Sequence, residues 1–387
     1  MRLENPALDL ILASLPPRAP RFPRRTVLAA TRNLLKAGAT TGTLTSGRST
    51  SSRGPSRRQL SRVTETLDQT RLQRKITWTL RAQVRPWLPQ RPVDIAIDFH
   101  LVPYAGERPK TTQLLASKAK QGTNRFHGYS TAAIVQGDQR LSFGLRAIRE
   151  PGHLLSVVQG HLEDARQLSL QVRWILLDRE FYCGDVIEFL QAEGLHAVMP
   201  VRTGPKMRAQ WEKGRRSFAT LHTMNSKGRE VRFRVQVVKL YKKGRRGEHG
   251  VESLFYVVIG PRLPPAKLRA LYRGRFGIEA TYRIAESARA RTTSRRPVYR
   301  LLLMALAILV ENEWVILQLV HATERCRGRK GYRLHEELLR FRHLLTMLMA
   351  GLRPLVGEVM EAGAPGRPPK FVERIQEAVS RGAATNY

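Results

Sequence analysis

The feature that most limits the fold is the run from Val172 to Leu177, apolar but for Arg173, which stops at Asp178. Such a run is expected for a central strand buried on both faces, so it belongs inside a sheet rather than at its edge. Upstream, Val93, Ile95, Ile97 and Phe99 alternate with Asp94, Ala96, Asp98 and His100. That period of two predicts a strand with one apolar face and one face carrying both carboxylates, Asp98 near its carboxyl end. Tyr129 to Gln136 and Arg140 to Ile148, separated by Gly137 and Asp138, read as a hairpin that pairs onto this first strand. Pro151 opens a predicted helix running to about Leu170, a short helix spans Cys183 to Glu193 before Gly194, and His196 to Val201 is a fifth strand.

The resulting order is strand, two hairpin strands, helix, strand, helix, strand, with Asp98 and Asp178 at the ends of strands one and four. This resembles the ribonuclease-H-like topology: an α/β fold with a mixed five-stranded sheet and flanking helices. The core is expected to comprise residues 93–201 and 261–321. Between them, residues 202–260 form a predicted β-rich insertion, from the alternation after Glu230 and the apolar run Leu254 to Ile259. Leu268 to Ala290 and Val298 to Val320 read as long helices. Residues 322–387 read as a basic helical region followed by a Pro/Gly-rich tail from Gly363.

The chain has 387 residues with 67 Lys+Arg against 31 Asp+Glu, a formal charge of +36, and 42% hydrophobic residues. It can fill a core, and its surface attracts polyanions. Residues 1–90 carry 17 Lys+Arg against Glu4, Asp9, Glu65 and Asp68, or 17 − 4 = +13. They form a candidate basic DNA-binding region. Helical spacing is visible in Pro23 to Lys36 and Ser61 to Arg81, around a loop-like stretch from Gly38 to Arg58. The longest apolar run, Leu301 to Val310, is ten residues and ends at Glu311, so a buried core helix is expected and no membrane partner. No secretory signal is visible, which places the expected location in the cytoplasm, associated with the nucleoid. Cys183 and Cys326 read as free thiols, and no Cys/His spacing suggests zinc.

Asp98 and Asp178, joined by Glu279, supply the carboxylate oxygens that Mg²⁺ prefers. Two such ions, about 3.5 to 4 Å apart, can activate the attacking oxygen of a phosphodiester reaction and stabilise the leaving one. Tyr272, Arg275, Glu279, Arg283 and Glu286 are spaced by 3, 4, 4 and 3, one stripe of a helix, with Leu271, Phe276 and Ala280 opposite to cover the core.

Tyr272, Arg275 and Glu279, set as Tyr, two residues, Arg, three residues, Glu, resemble the signature of DDE transposases of bacterial and archaeal insertion sequences. The similarity is to the branch with a β-strand insertion before the Glu, and it covers roughly residues 93 to 320. It implies cut-and-paste transposition: phosphodiester hydrolysis at the element ends, then strand transfer of the 3′-OH into target DNA. It further implies two Mg²⁺ ions held by Asp98, Asp178 and Glu279, with Mn²⁺ able to substitute. The implied partners are double-stranded DNA, as terminal inverted repeats and as target, and a second subunit in a synaptic complex. Tyr272, Arg275 and Arg283 are the implied DNA contacts. The family usually has Lys seven residues after the Glu, where this chain has Glu286, flanked by Arg283 and Arg289.

Several residues have plainer readings. Asp94 and Glu180 rival Asp98 and Asp178 as ligands, and Glu286 rivals Glu279. His100 and His127 suit turns or the core, as Trp211 and Trp314 suit the core or an interface. Lys118, Lys120, Lys242, Lys243, Arg245 and Arg246 read as a solvated basic face, which on a DNA enzyme contacts phosphates. Two other functions stand beside transposition: a catalytically impaired or domesticated sequence-specific DNA-binding protein, and a ribonuclease-H-like nuclease without strand transfer.

Overall fold

The computed structural model describes residues 67–106, 114–136, 139–148, 153–243, 249–292, 294–325, 332–335 and 337–355, with 6, 7, 9, 10, 31, 32 and 35. Gly38 to Arg58, Arg245, Arg246, Cys326 and the tail lie outside the described residues, as do most of Pro23 to Lys36 and the side chains of Lys242 and Lys243. The chain divides into two compact units, residues 88–105 with 111–280, and residues 1–87 with 106–110 and 281–387.

Residues 6, 7, 9, 10, 31, 32 and 35 are helical, and the helix α1 (Gln69–Val84) belongs to the same unit as residues 281–387. Asp68 caps it, its carboxylate accepting from the Arg71 backbone N–H at 2.7 Å. The sheet of the other unit then begins with β1 (Val93–Pro103), β2 (Leu115–Lys120), β3 (Thr123–Gln136) and β4 (Gln139–Ile148). Helix α2 (Leu154–Gln167) follows, then β5 (Val172–Leu177), α3 (Gly184–Ala192), β6 (Ala197–Pro200) and α4 (Pro205–Glu212). Three long strands come next, β7 (Phe218–Ser226), β8 (Arg229–Lys243) and β9 (His249–Ile259). Helices α5 (Pro265–Arg273) and α6 (Phe276–Ala288) lead to α7 (Pro297–His321), the short pair β10 (Thr323–Arg325) and β11 (Tyr332–Leu334), and α8 (Phe341–Leu355).

The strand order is β2-β3-β1-β5-β6-β9-β8-β7, with β4 also paired to β3. Strands β4, β3, β1, β5 and β6 give the expected mixed five-stranded core: β3 runs antiparallel to β1 and β4, whereas β1, β5 and β6 are parallel. The insertion does not form a sheet of its own. Strand β9 pairs antiparallel with β6 from Ala197↔Ile259 to Pro200↔Tyr256, so β9, β8 and β7 extend the core sheet. Two tight hairpins carry Gln121-Gly122 and Lys227-Gly228 with positive φ at both turn residues, the conformation that matches strand twist.

Strand β1 is buried on both faces over Val93 to Asp98, not on one. Ile95, Ile97, Leu176, Leu177, Phe143 and Phe181 are fully enclosed, each worth about 1.5 to 3 kcal/mol of burial. Helix α2 covers Leu154–Gln167, and Pro151, expected to open it, lies outside the described residues. The predicted helix Leu268 to Ala290 is two helices. At Gly274 and Arg275 the backbone N–H groups bond to Leu271 O and Tyr272 O, three residues back, at 3.1 and 3.0 Å. This tightened turn interrupts the helical ladder between α5 and α6.

Helix α7 is long and apolar enough to cross a bilayer, yet it is a buried core helix as expected. Even Glu311, Asn312 and Glu313 are buried. Gln83 of α1 donates to Leu309 O at 3.0 Å and accepts from Asn312 at 3.1 Å, and Trp314 donates to Leu339 O at 2.8 Å.

Candidate active site

The two aspartates meet where β1 loses its parallel neighbour. Pairing of β1 with β5 ends at Ile97↔Leu177, and the Asp178 N–H donates to Ile97 O at 3.1 Å. Strand β5 then turns away: Asp178 Oδ1 accepts from the Arg179 N–H at 2.6 Å and caps a 3₁₀ turn over Arg179–Phe181. Strand β1 continues against β3, with Asp98 opposite Thr131. Asp98 therefore lies in the middle of an eleven-residue strand, not near its carboxyl end. What ends beside it is the partner strand, and that opens the sheet there.

Arg275 joins the pair. Its Nη1 lies 2.8 Å from Asp98 Oδ1 and 3.6 Å from Asp178 Oδ1. The Asp98 and Arg275 side chains are 5% and 7% exposed, and that of Asp178 is 22% exposed. One guanidinium thus offsets part of the charge of two carboxylates in a partly buried site, where an unpaired charge would be costly. One turn earlier, the buried Tyr272 hydroxyl donates to Leu177 O at 3.2 Å. Burial drives its phenol far above the ordinary range. Tyr272 also packs against Tyr256, ring centroids 4.9 Å apart, and lies 5.3 Å from the Arg275 guanidinium. Burial pushes the Tyr256 phenol up to about 12.

The inward-facing Tyr272 hydroxyl and Arg275 Nη1 thus both find partners within the protein itself. Tyr256 of β9, which no motif marks, is part of the arrangement. It could be found only by knowing that the insertion joins the core sheet. Glu279 is the fourth residue of α6, just beyond the turn that holds Arg275, and its side chain lies outside the described ones. Leu271 is half-buried, while Leu268 and Tyr272 form the enclosed side of α5. Because α5 and α6 are separate, the five-residue stripe does not run along one helix. Arg283 is exposed in the other compact unit. Lys118 and Lys120 are exposed on β2, which β3 separates from β1.

The rival carboxylates are engaged elsewhere. Arg173 grips Asp94 through two hydrogen bonds of 2.8 and 2.6 Å. Glu180 pairs with Arg202 at 2.5 Å, and Arg289 reaches both oxygens of Glu286 at 3.1 and 2.8 Å. His127 is buried against the Tyr104 ring, and Trp211 against Phe255 and His222. Among the described residues no three His, Cys, Asp or Glu side chains gather as a metal site. The donor chemistry of Asp98 and Asp178 nonetheless suits a divalent cation: two carboxylates converge on one point, and a cationic nitrogen already stands there.

A transposase DDE domain family model matches residues 89–310 of the chain. The fold is similar to a piggyBac transposase in a cryo-EM structure of its synaptic complex with hairpin DNA: TM-score 0.54, 12% identity, covering 97% of this chain and 82% of that one. At that identity the likeness is one of fold. No curated protein matches the sequence. With the family model matching more than half of its residues, the chain belongs to the DDE transposase domain family.

Proposed function

We propose that the protein is a cut-and-paste DNA transposase that binds the terminal inverted repeats of its element, cleaves at each end and inserts the freed ends into target DNA. The observation that carries this reading is the convergence of Asp98 and Asp178 where β5 ends beside β1. In the first step water attacks phosphorus and the bond to the 3′ oxygen breaks, leaving a 3′-OH and a 5′-phosphate. In the second, that 3′-OH attacks a target phosphorus and a target 3′ oxygen leaves with a proton. The first step spends one phosphodiester on water, and the second forms one phosphodiester as it breaks another.

Asp98, Asp178 and Glu279 are the groups that would hold two Mg²⁺ ions, with Mn²⁺ as a substitute. When bound, these supply activation of the attacking oxygen and stabilisation of the leaving one. Tyr272 acts through the backbone, holding Leu177 and hence the root of Asp178. Arg275 acts at the carboxylates themselves. Arg283, Lys118 and Lys120 are exposed cations suited to DNA phosphates, and the basic stretch of residues 1–90 suits recognition of the ends. Two subunits acting on two ends, inside the cell at the nucleoid, complete the reading.

The test is a strand-transfer reaction with the purified full chain, linear DNA bearing the element's ends and a supercoiled target plasmid. End-joined target is the expected product. Nicked ends without joining would indicate a nuclease, and end binding without cleavage a DNA-binding protein.

A further inference from the structure

Arg275 stands at the point where Asp98 and Asp178 would share a metal ion. Its Nη1 donates to Asp98 Oδ1 at 2.8 Å and is 3.6 Å from Asp178 Oδ1. A guanidinium stays charged at any physiological pH, so this is a permanent cation between two carboxylates. A divalent cation coordinates a carboxylate oxygen directly, at about 2.0 to 2.6 Å. An N–H on the same Asp98 oxygen competes for its lone pair, and two cations so close repel each other strongly in a site shielded from water.

We propose that Arg275 is the resident counter-cation of the acidic pair: it offsets one of the two negative charges and aligns Asp98 and Asp178, and must withdraw from Asp98 before a divalent ion is coordinated there. This rests on the reading of Asp98 and Asp178 as metal ligands. Without such a cation, two neighbouring carboxylates would repel each other and splay. With it, the site is assembled in advance, and a divalent ion binds only by displacing a competitor.

The local fold gives the guanidinium somewhere to go. Arg275 lies in the tightened turn between α5 and α6, not in the middle of a helix. Its guanidinium is 5.3 Å from the Tyr272 ring centroid, within reach of a cation–π contact. Tyr272 is fixed by Leu177 O and the Tyr256 ring. That contact already exists alongside the bond to Asp98, so closing further onto the ring would loosen the bond to Asp98 while keeping the cation against a π face.

The test measures Mn²⁺ binding to the full chain without DNA, from the electron-spin signal of free Mn²⁺, so the readout is independent of cleavage. Arg275→Ala and Arg275→Gln are expected to bind Mn²⁺ about tenfold more tightly than the unaltered protein, because a like charge a few ångströms away is gone. Arg275→Lys should fall between. Asp98→Asn should abolish the site in both the unaltered and the Arg275→Ala backgrounds. Unchanged or weaker binding in the Arg275 variants, with Asp98→Asn still abolishing it, would overturn the counter-cation role and leave the ligand reading standing. Mn²⁺ binding indifferent to Asp98→Asn would overturn both. The unaltered protein provides a check that needs no variant: saturating Mg²⁺ should speed hydrogen exchange at the Arg275 guanidinium, and unchanged protection would contradict the displacement.

Discussion

Tyr272 and Glu286 show how far a side chain's role depends on what its neighbours already satisfy. The Tyr272 hydroxyl donates to the carbonyl of Leu177, the residue before Asp178, so the phenol braces the place where the second aspartate leaves the sheet. Tyr272→Phe keeps the packing against Tyr256 but strands that carbonyl interaction. It should cost about 1 to 3 kcal/mol in urea unfolding and slow cleavage, with DNA affinity unchanged. Weakened DNA binding at full stability would instead make Tyr272 a DNA contact. Glu286 occupies the position where the family usually has Lys, and Arg289 holds both of its oxygens. Glu286→Lys should change stability by no more than about 1 kcal/mol, as for other partly exposed pairs. It should raise the cleavage rate by replacing a repulsive charge with an attractive one near the DNA. Loss of cleavage in Glu286→Lys, with activity retained by Glu279→Ala, would move the third carboxylate to Glu286.

At the scale of elements, α2 and the hairpin strands are locked by a buried polar cluster. His161 Nε2 lies 3.0 Å from Ser130 Oγ, and Arg146 bonds both Asp164 and Gly160 O at 2.7 Å. Gly144 faces this helix so closely that an added Cβ would lie 2.6 Å from His161 Nδ1. Gly144→Ala should therefore destabilise the fold by about 1 to 3 kcal/mol, the usual cost of overpacking. Burial, reinforced by the charge of Arg146, holds the His161 imidazole well below its ordinary range, against a smaller upward effect of Ser130. The folded state thus keeps His161 neutral where the unfolded chain protonates it. This contribution to stability is whole above about pH 6.5 and is lost as pH falls below it. The urea midpoint should drop on acidification through that range, and His161→Gln should flatten the drop. These elements were largely legible: β1, β3, β4, β5 and β6 follow from alternation and apolar runs. Strand β2 was not, because only Leu115 of its six residues is buried and no pattern remains to read. The break at Gly274 was missed because a helix tolerates one glycine and its spacing continues across the turn. Asp98 and Asp178 stood out as carboxylates at strand ends, but their meeting point was set by pairing between strands, which residue spacing does not encode. The role of Arg275 toward them was equally hidden, since ion pairing across 177 residues leaves no local signal.

For the whole molecule, the charge of +36 predicts how it meets DNA. Binding to duplex DNA should weaken steeply with salt, log K falling by about 0.9 per phosphate contact for each log unit. A flat affinity from low to moderate salt would contradict a surface built on phosphate contacts. The nine-stranded sheet, in the unit of residues 88–105 and 111–280, carries Asp98 and Asp178 near its middle. In the proposed function Asp98 and Asp178, with Glu279, form the cleavage site. The decisive assay is Mg²⁺-dependent cleavage of end-bearing DNA, beside gel-shift binding, for Asp98→Ala, Asp178→Ala and Glu279→Ala. Each variant is predicted to bind the ends as the unaltered protein does and to leave them uncut; full cleavage by any one of the three would contradict that carboxylate's place in the site.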